Sequence, residues 1–300
     1  MKQDYNIEFS KGFTLIELLV TVALLGILAG GILMVLDIGG ILTKANLTQT
    51  KKFSASIENS LAISQVGKWS FEETSDPSKD TSGYGNNGTW VGGVTNYTPE
   101  QCGLGFGRCM SFSGTQENRI EVDNNPSLNP TSTITVSVWF NPTVVTVSGA
   151  PAIVKKADAS AGYTIELDGV SFKVHFSVCV GSPSCSWQAT PLSAKLSVNT
   201  WYNAVGTYDG SKIRLFLNGV EVSSTTATGA IGTITGDLWF GNDPSSPLAE
   251  LREFTGLVDE VSIYKEALTA YQIQNLYAQG LSKRLLSTSL VVLRKESSQN

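Results

Sequence analysis

Charge is scarce in this chain. Charged residues make up 16% of its 300 positions, below the ~25% usual for globular domains. There is one histidine, His175, and it sits in an alternating strand-like run where a satisfied structural role is expected. No G-x-S-x-G, no P-loop and no dinucleotide-binding glycine fingerprint is present, so those nucleophilic and nucleotide-using chemistries have no signature here. The formal net charge is -5, which leaves no basic footprint and argues against nucleic acid as a partner. What the chain has is glycine, 29 residues, and 41% apolar residues. That mix suits an all-β domain with many turns rather than a helical enzyme.

Four cysteines form two close pairs, Cys102 with Cys109 and Cys179 with Cys185. Even numbers in local pairs suggest disulfides made in an oxidising compartment. The alternative is one metal site built from all four thiolates. The spacings, CGLGFGRC and CVGSPSC, lack the tight C-x2-C knuckles of zinc ribbons. As disulfides, each would close a small loop and fix a local turn.

Residues 13–36 read FTLIELLVTVALLGILAGGILMVL, with Glu17 as the only charge. A helix of that length covers about 36 Å, enough for a bilayer core of ~30 Å. It exceeds the ~7–15 residues of an ordinary signal-peptide apolar region. A carboxylate one turn into such a helix is costly, ~2.5–3.5 kcal/mol at mid-bilayer and less near the end. A partner would offset this, and cleavage after Gly12 would create one, the amine of Phe13 on a neighbouring subunit. Lysines flank both sides, Lys2 and Lys11 before and Lys44, Lys51 and Lys52 after, so the positive-inside rule gives weak support for orientation. Two plainer readings are an unprocessed membrane anchor and a secretory signal cut after Ala29-Gly30-Gly31.

The run Lys11-Gly12-Phe13-Thr14-Leu15-Ile16-Glu17 resembles the prepilin peptidase site of type IV pilins and type II secretion pseudopilins. The resemblance covers about the first 55 residues. It implies cleavage after Gly12, N-methylation of Phe13, and a role for Glu17 in assembly with other pilin-like subunits. It also implies a single-pass protein of the bacterial inner membrane, its head outside the cytoplasm, in a pilus or at the cell surface. After Leu36, apolar residues recur at Ile41, Leu42, Ala45, Leu47, Phe53, Ile57 and Leu61. Their spacing of three and four fits an amphipathic helix over 37–65, weakened at Gly39-Gly40. A solvated linker helix without an assembly role is the alternative.

From about Val66 the texture changes to short apolar or alternating runs between Gly, Asn, Ser and Pro turns. Strand candidates are KWSF (68–71), RIEV (119–122), ITVSVWF (134–140), AIVKK (152–156) and YTIEL (163–167). Further along come SFKVHFSV (171–178), WYNAVGTY (201–208), KIRLFLN (212–218), GDLWFG (236–241) and GLVDEVSIY (256–264). Such closely spaced strands predict a β-sandwich, closed by a helical stretch over 267–280. Asn218-Gly219 between two apolar runs predicts a type I′ hairpin. Trp69, Trp139, Trp201 and Trp239 fall in strand patterns and are expected in the core. Trp90 and Trp187 fall in loop-like contexts, and Trp187, just after the Cys179–Cys185 loop, is the candidate for stacking on a sugar.

The order of these pieces is similar to the laminin-G-like, concanavalin-A-like jelly-roll family. The markers are Trp69-Ser70-Phe71-Glu72-Glu73, Asp80-Thr81-Ser82-Gly83 with Gly85-Asn86-Asn87-Gly88, Met110 to Gly114, and Ile134 to Phe140. The hairpin from Thr200 to Gly210, Leu215 to Val220, and Gly256 to Tyr264 complete them. They span about 210 residues. One departure is Tyr202-Asn203-Ala204, where the family often has His-His-Val. The resemblance implies a Ca²⁺ on the outer face, held by Glu72 or Glu73, Asp80, carbonyls near Asn86 and Asn87, and Asp259. Asp259 and Glu260 are adjacent on a strand, so only one is expected to reach a given metal. The plainer reading is that these Asp and Asn residues cap turns. The related jelly-roll glycosidases carry E-x-D-x-x-E on one strand. Here Glu121-Val122-Asp123 runs into Asn124, Asn125 and Pro126, so the third acid is missing and catalysis is not expected.

The expected protein is mainly β, with an N-terminal long transmembrane helix followed by a concanavalin-A-like jelly-roll. Its parts are a leader (1–12), a membrane helix (13–36), an amphipathic helix or linker (37–65), the jelly-roll (66–280) and a tail (281–300). The tail fits a terminal strand, an amphipathic helix or disorder. The expected partners are the membrane, prepilin peptidase, pilin-like subunits and a glycan or protein ligand.

Overall fold

The computed structural model describes residues 56, 59–103, 107–144, 149–157, 161–181, 184–232, 234–244 and 252–282. The chain divides into two compact units, Met1–Lys51 and Lys52–Asn300, and every described residue lies in the second. The leader, the expected membrane helix over 13–36 and the tail beyond 282 lie outside the described residues. No helix among the described residues is long and apolar enough to cross a membrane.

Two antiparallel sheets make the head. The first runs β13 (Val220–Thr226), β12 (Lys212–Leu217), β11 (Tyr202–Tyr208), β6 (Ile134–Pro142), β15 (Thr255–Tyr264), β4 (Cys109–Ser113), β3 (Thr95–Tyr97). β1 (Gln65–Trp69) pairs with the far end of β15. The second runs β10 (Ser186–Ala189), β9 (Lys173–Val180), β8 (Gly162–Asp168), β7 (Ala152–Ala157), β14 (Leu238–Phe240), β5 (Arg119–Val122), β2 (Gly88–Val91). All ten expected strand runs take part in these ladders, most within a residue or two of their expected ends. β1 departs furthest: it starts at Gln65 and stops at Trp69, because Phe71 turns away with a positive φ of 53°.

Period-two alternation sets the core. Ile134, Val136, Val138 and Phe140 of β6 point inward and join Val174, Phe176 and Val178 of β9 in one continuous cluster. Burying each such side chain contributes about 1.5–3 kcal/mol. The sheets approach closely at Gly206 of β11, where a Cβ would collide with the Phe176 ring. The hairpin at Asn218-Gly219 has positive φ at both residues, 52° and 79°, as a type I′ turn requires.

The first loop is tied to β1 by side chains. The Asp80 carboxylate accepts from the amides of Lys68 (3.0 Å), Ser82 (2.8 Å) and Asn86 (2.9 Å) and from the Ser82 hydroxyl (2.9 Å). Asn86 Nδ2 donates to the carbonyl of Val66 at 2.9 Å, and its own carbonyl accepts from Trp69 Nε1 at 2.8 Å.

Part of the outer face of the first sheet is covered. A helix over 270–282 lies on it, opened by a Thr269–Gln272 capping box in which each residue's amide donates to the other's side chain (2.8 and 3.3 Å). Its Ile273 packs with Leu61, Val205, Phe216, Tyr264 and Leu268 in a second apolar cluster, and Trp139 stacks on Tyr277 at 5.5 Å and 16°. Of the four tryptophans expected in the core, only Trp69 belongs to the main core cluster. Trp139 is buried on the outer side of its sheet, under the helix. Trp201 is half-buried just before β11, and Trp239 is buried on the outer side of the second sheet. Alternation explains this: Trp139 neighbours the inward Val138 and Phe140, so it must point out. Trp90 and Trp187 lie on the edge strands β2 and β10, not in loops.

Candidate functional site

The outer face of the second sheet carries the most chemistry. Outward positions on neighbouring strands place Lys155 (β7) beside Trp239 (β14) and Thr164 (β8), and Glu166 (β8) beside His175 (β9). Their neighbours in sequence, Val154, Ile165, Phe176 and Phe240, fill the core, which fixes the polar set outward. Asp243, just after β14, closes over this row. Lys155 Nζ donates to Asp243 Oδ2 at 2.7 Å and lies 3.6 Å from Glu166 Oε2. Glu166 Oε1 meets His175 Nε2 at 3.0 Å, and Arg252 stands 3.9 Å from Asp243.

Most of these charges are withdrawn from water, with the Asp243 side chain 2% exposed. Burial alone would push the Glu166 carboxyl up, but the His175 hydrogen bond and the Lys155 charge outweigh it and hold the group below its ordinary value. Isolated buried ions cost several kcal/mol each, so such a set persists only because the charges compensate one another.

Two aromatics border this network. Trp187, 41% exposed, lies on β10 with Lys155 Nζ 5.8 Å from its ring centre. Trp239 lies under the Arg119 guanidinium, 4.3 Å above its ring, and Arg119 pairs with Glu121 at 2.6 Å. The Trp239 Nε1 donor is buried with no acceptor. The face therefore offers one open ring beside a charged floor.

Sequence reasoning picked out Trp187 on this face and read His175 as structural, which its bond to Glu166 supports. It missed Lys155, Glu166, Asp243, Arg252, Arg119 and Trp239. A signal existed: AIVKK, YTIEL and FKVHF each carry ionisable residues at outward positions, and the three strands are adjacent.

Gly12, Phe13 and Glu17 lie outside the described residues. The cysteines form two disulfides, Cys102–Cys109 and Cys179–Cys185, with Cα separations of 5.8 and 5.4 Å, so the four-thiolate metal site does not form. The expected calcium ligands are not gathered into a cage. Asp80, Asn86 and Asn87 share one loop, where Asn87 Oδ1 accepts from the Asp80 amide at 3.0 Å, but both Asp80 oxygens already accept hydrogen bonds. Glu72 lies against the Arg108 amide at 3.3 Å. Burial, with help from Glu260 and Glu73, raises its pKa against the lowering effect of Arg108. Asp259 is buried in β15 and accepts from the Glu260 amide at 2.7 Å. A bulge follows Asp259, and Glu260 has a φ of 47°, so simple alternation fails at this pair. Among the described residues, no group of three or more His, Cys, Asp or Glu is placed to hold a metal ion. The residues present do not fit calcium.

Residues 113–274 match the model of the concanavalin A-like lectin/glucanases superfamily. The chain belongs to that superfamily. Residues 9–33 match the prokaryotic N-terminal methylation motif, the motif of membrane-anchored, surface-assembled proteins. Among solved structures, the binding domain of Paraclostridial Mosquitocidal Protein 1 superposes with a TM-score of 0.58 at 19% identity, over 72% of this chain and 52% of that one. Domain 4 of an extracellular arabinanase from Geobacillus stearothermophilus, in complex with arabinotriose, gives 0.53 at 21% identity, over 71% and 98%. The receptor-binding domain of botulinum neurotoxin D gives 0.55 at 15%, over 73% and 53%. The match thus spans about half the length of the mosquitocidal and neurotoxin chains. These likenesses show a shared fold. Comparison with curated proteins gives no match.

Proposed function

We propose that this is a pilin-like surface subunit whose head binds glycans through the outer face of the second sheet. The observation that carries the reading is the pairing of an N-terminal methylation motif with a lectin-like head that exposes Trp187 beside a buried charged network. Trp187 provides the stacking surface, and the Lys155–Asp243–Glu166–His175 set holds polar groups in fixed positions. That several structural neighbours are binding domains, one of them holding arabinotriose, supports binding over turnover. A hydrolase reading has less support, because a general acid needs a raised pKa and Glu166 is held low with Lys155 and His175 against it.

Three measurements test this. Intact mass of the chain in the fraction sheared from cells is expected to show a species beginning at methylated Phe13. A processed species confined to the membrane would instead favour a secretion pseudopilin. Replacing Trp187→Ala is expected to lower binding to an arabino-oligosaccharide and glycan panel at least tenfold, at unchanged melting temperature. Retained binding would remove this face from the reading. Glu17→Ala is expected to leave membrane insertion intact and reduce filament yield.

A further inference from the structure

A second concavity lies on the opposite sheet, away from the Trp187 face. A groove of about 380 Å³ opens on the outer face of the first sheet, between the Pro99–Cys102 turn and the start of β11. Its walls are Tyr97 and Trp201, both half-buried and packed on the Cys102–Cys109 disulfide and Leu257. The walls are held in place: Trp201 Nε1 donates to the Cys102 carbonyl at 2.8 Å, and the Thr98 amide donates to Gln101 Oε1 at 2.9 Å. The floor includes Asn141 of β6, 8% exposed, and its Oδ1 meets no donor.

An idle amide end in a well-packed floor is unusual, because an unmade buried hydrogen bond costs about 1–3 kcal/mol. Rotating the amide about χ2 exchanges Oδ1 and Nδ2, so this floor can present an acceptor or a donor to the groove. A hydroxyl satisfies both. An ammonium only donates and a carboxylate only accepts. Glu100, at the exposed rim, is the groove's one charged side chain, and it disfavours an anion. Aromatic walls accept the apolar face of a ring, and the volume lies in the range of small-ligand pockets, ~300–1,000 Å³.

We propose that this groove binds one neutral hexose unit, with a hydroxyl on the Asn141 amide and the ring against Tyr97 and Trp201. The site is distinct from the Trp187 face and stands whether or not that face binds.

The test uses the full chain carrying Trp187→Ala, which silences the other face, in a detergent without a sugar headgroup. Saturation-transfer NMR is recorded with glucose, galactose and mannose, and with glucuronate as the anionic control. At least one neutral hexose is expected to give signal, and glucuronate none. Asn141→Leu is expected to weaken that binding three- to tenfold, the effect of one hydrogen bond. Thr143→Trp fills the groove from its exposed rim and leaves the floor intact, and it is expected to abolish the signal. Absence of hexose signal from the chain carrying Trp187→Ala alone, equal signal from glucuronate, or signal that survives both groove substitutions would overturn the proposal.

Discussion

The two outer faces of the sandwich solve the same problem in opposite ways. On the first sheet, outward positions such as Trp139, Val205 and Phe216 are apolar, and a helix with its own apolar stripe covers them. On the second, outward positions such as Lys155, Glu166 and His175 are polar and cover themselves by pairing, with Asp243 folding over them. An outward apolar row therefore signals a missing partner element. An outward charged row signals an internal network. The first kind of cover is structural, and it is lost when packing is lost. The second leaves the Trp187 ring open at its margin, where a ligand can meet it.

The contrast is sharpest in stability. Phe216→Ala removes a buried ring from beneath the helix and is expected to cost about 3–5 kcal/mol. For a domain of this size that lowers Tm by roughly 10 °C, read by calorimetry. A loss under 1 kcal/mol would mean that the helix does not seal this face.

Lys155→Met leaves Asp243 and Glu166 facing each other without their shared cation, and is expected to cost about 3 kcal/mol. Adding Asp243→Leu is expected to return part of that loss, since removing both partners is milder than removing one. If the double variant is no better than the single, the network is not acting as a unit.

Acid separates the faces further. The Glu166 carboxyl is held below its ordinary 4.5 in the folded chain. Its contribution is present above that pH and is lost as pH falls through the folded value. Urea midpoints are expected to drop below pH 4.5, less steeply in Glu166→Gln. The covered face should show no such dependence, so Phe216→Ala should shift the curve without changing its slope.

The smallest effect concerns the first loop. With both Asp80 oxygens already bonded to protein donors, adding Ca²⁺ or EDTA is expected to move Tm by less than about 1 °C, because only an ion bound by the folded chain stabilises it. A larger shift would restore the ion cage.

The sequence made the interior of the sandwich legible and its margins faint. All ten expected runs became strands. The five unread strands are β2, β3, β4, β10 and β13. Four of these are sheet edges, and β4 lies next to one. Edge strands such as VEVSSTT pack on one side only, so they carry little apolar alternation. Site residues followed the same logic. Trp187 drew notice as a tryptophan near a disulfide. Lys155 and Glu166 looked like ordinary strand charges until registry placed them side by side. The Asn141 amide had no signal at all, because its significance comes from a groove that only the folded chain creates.

The Asp80–Asn86 loop has a mechanical consequence. Force reaching the head from its amino-terminal side enters through β1. That strand is held by β15 on one flank. On the other flank the loop grips it, through Asp80 on the Lys68 amide, Thr81 on the Lys68 carbonyl and Asn86 on the Val66 carbonyl. A strand gripped on both flanks cannot peel off one bond at a time from a free side. Pulling on it has to shear two sets of hydrogen bonds together, so the head should give way abruptly, at one rupture force, rather than unravel.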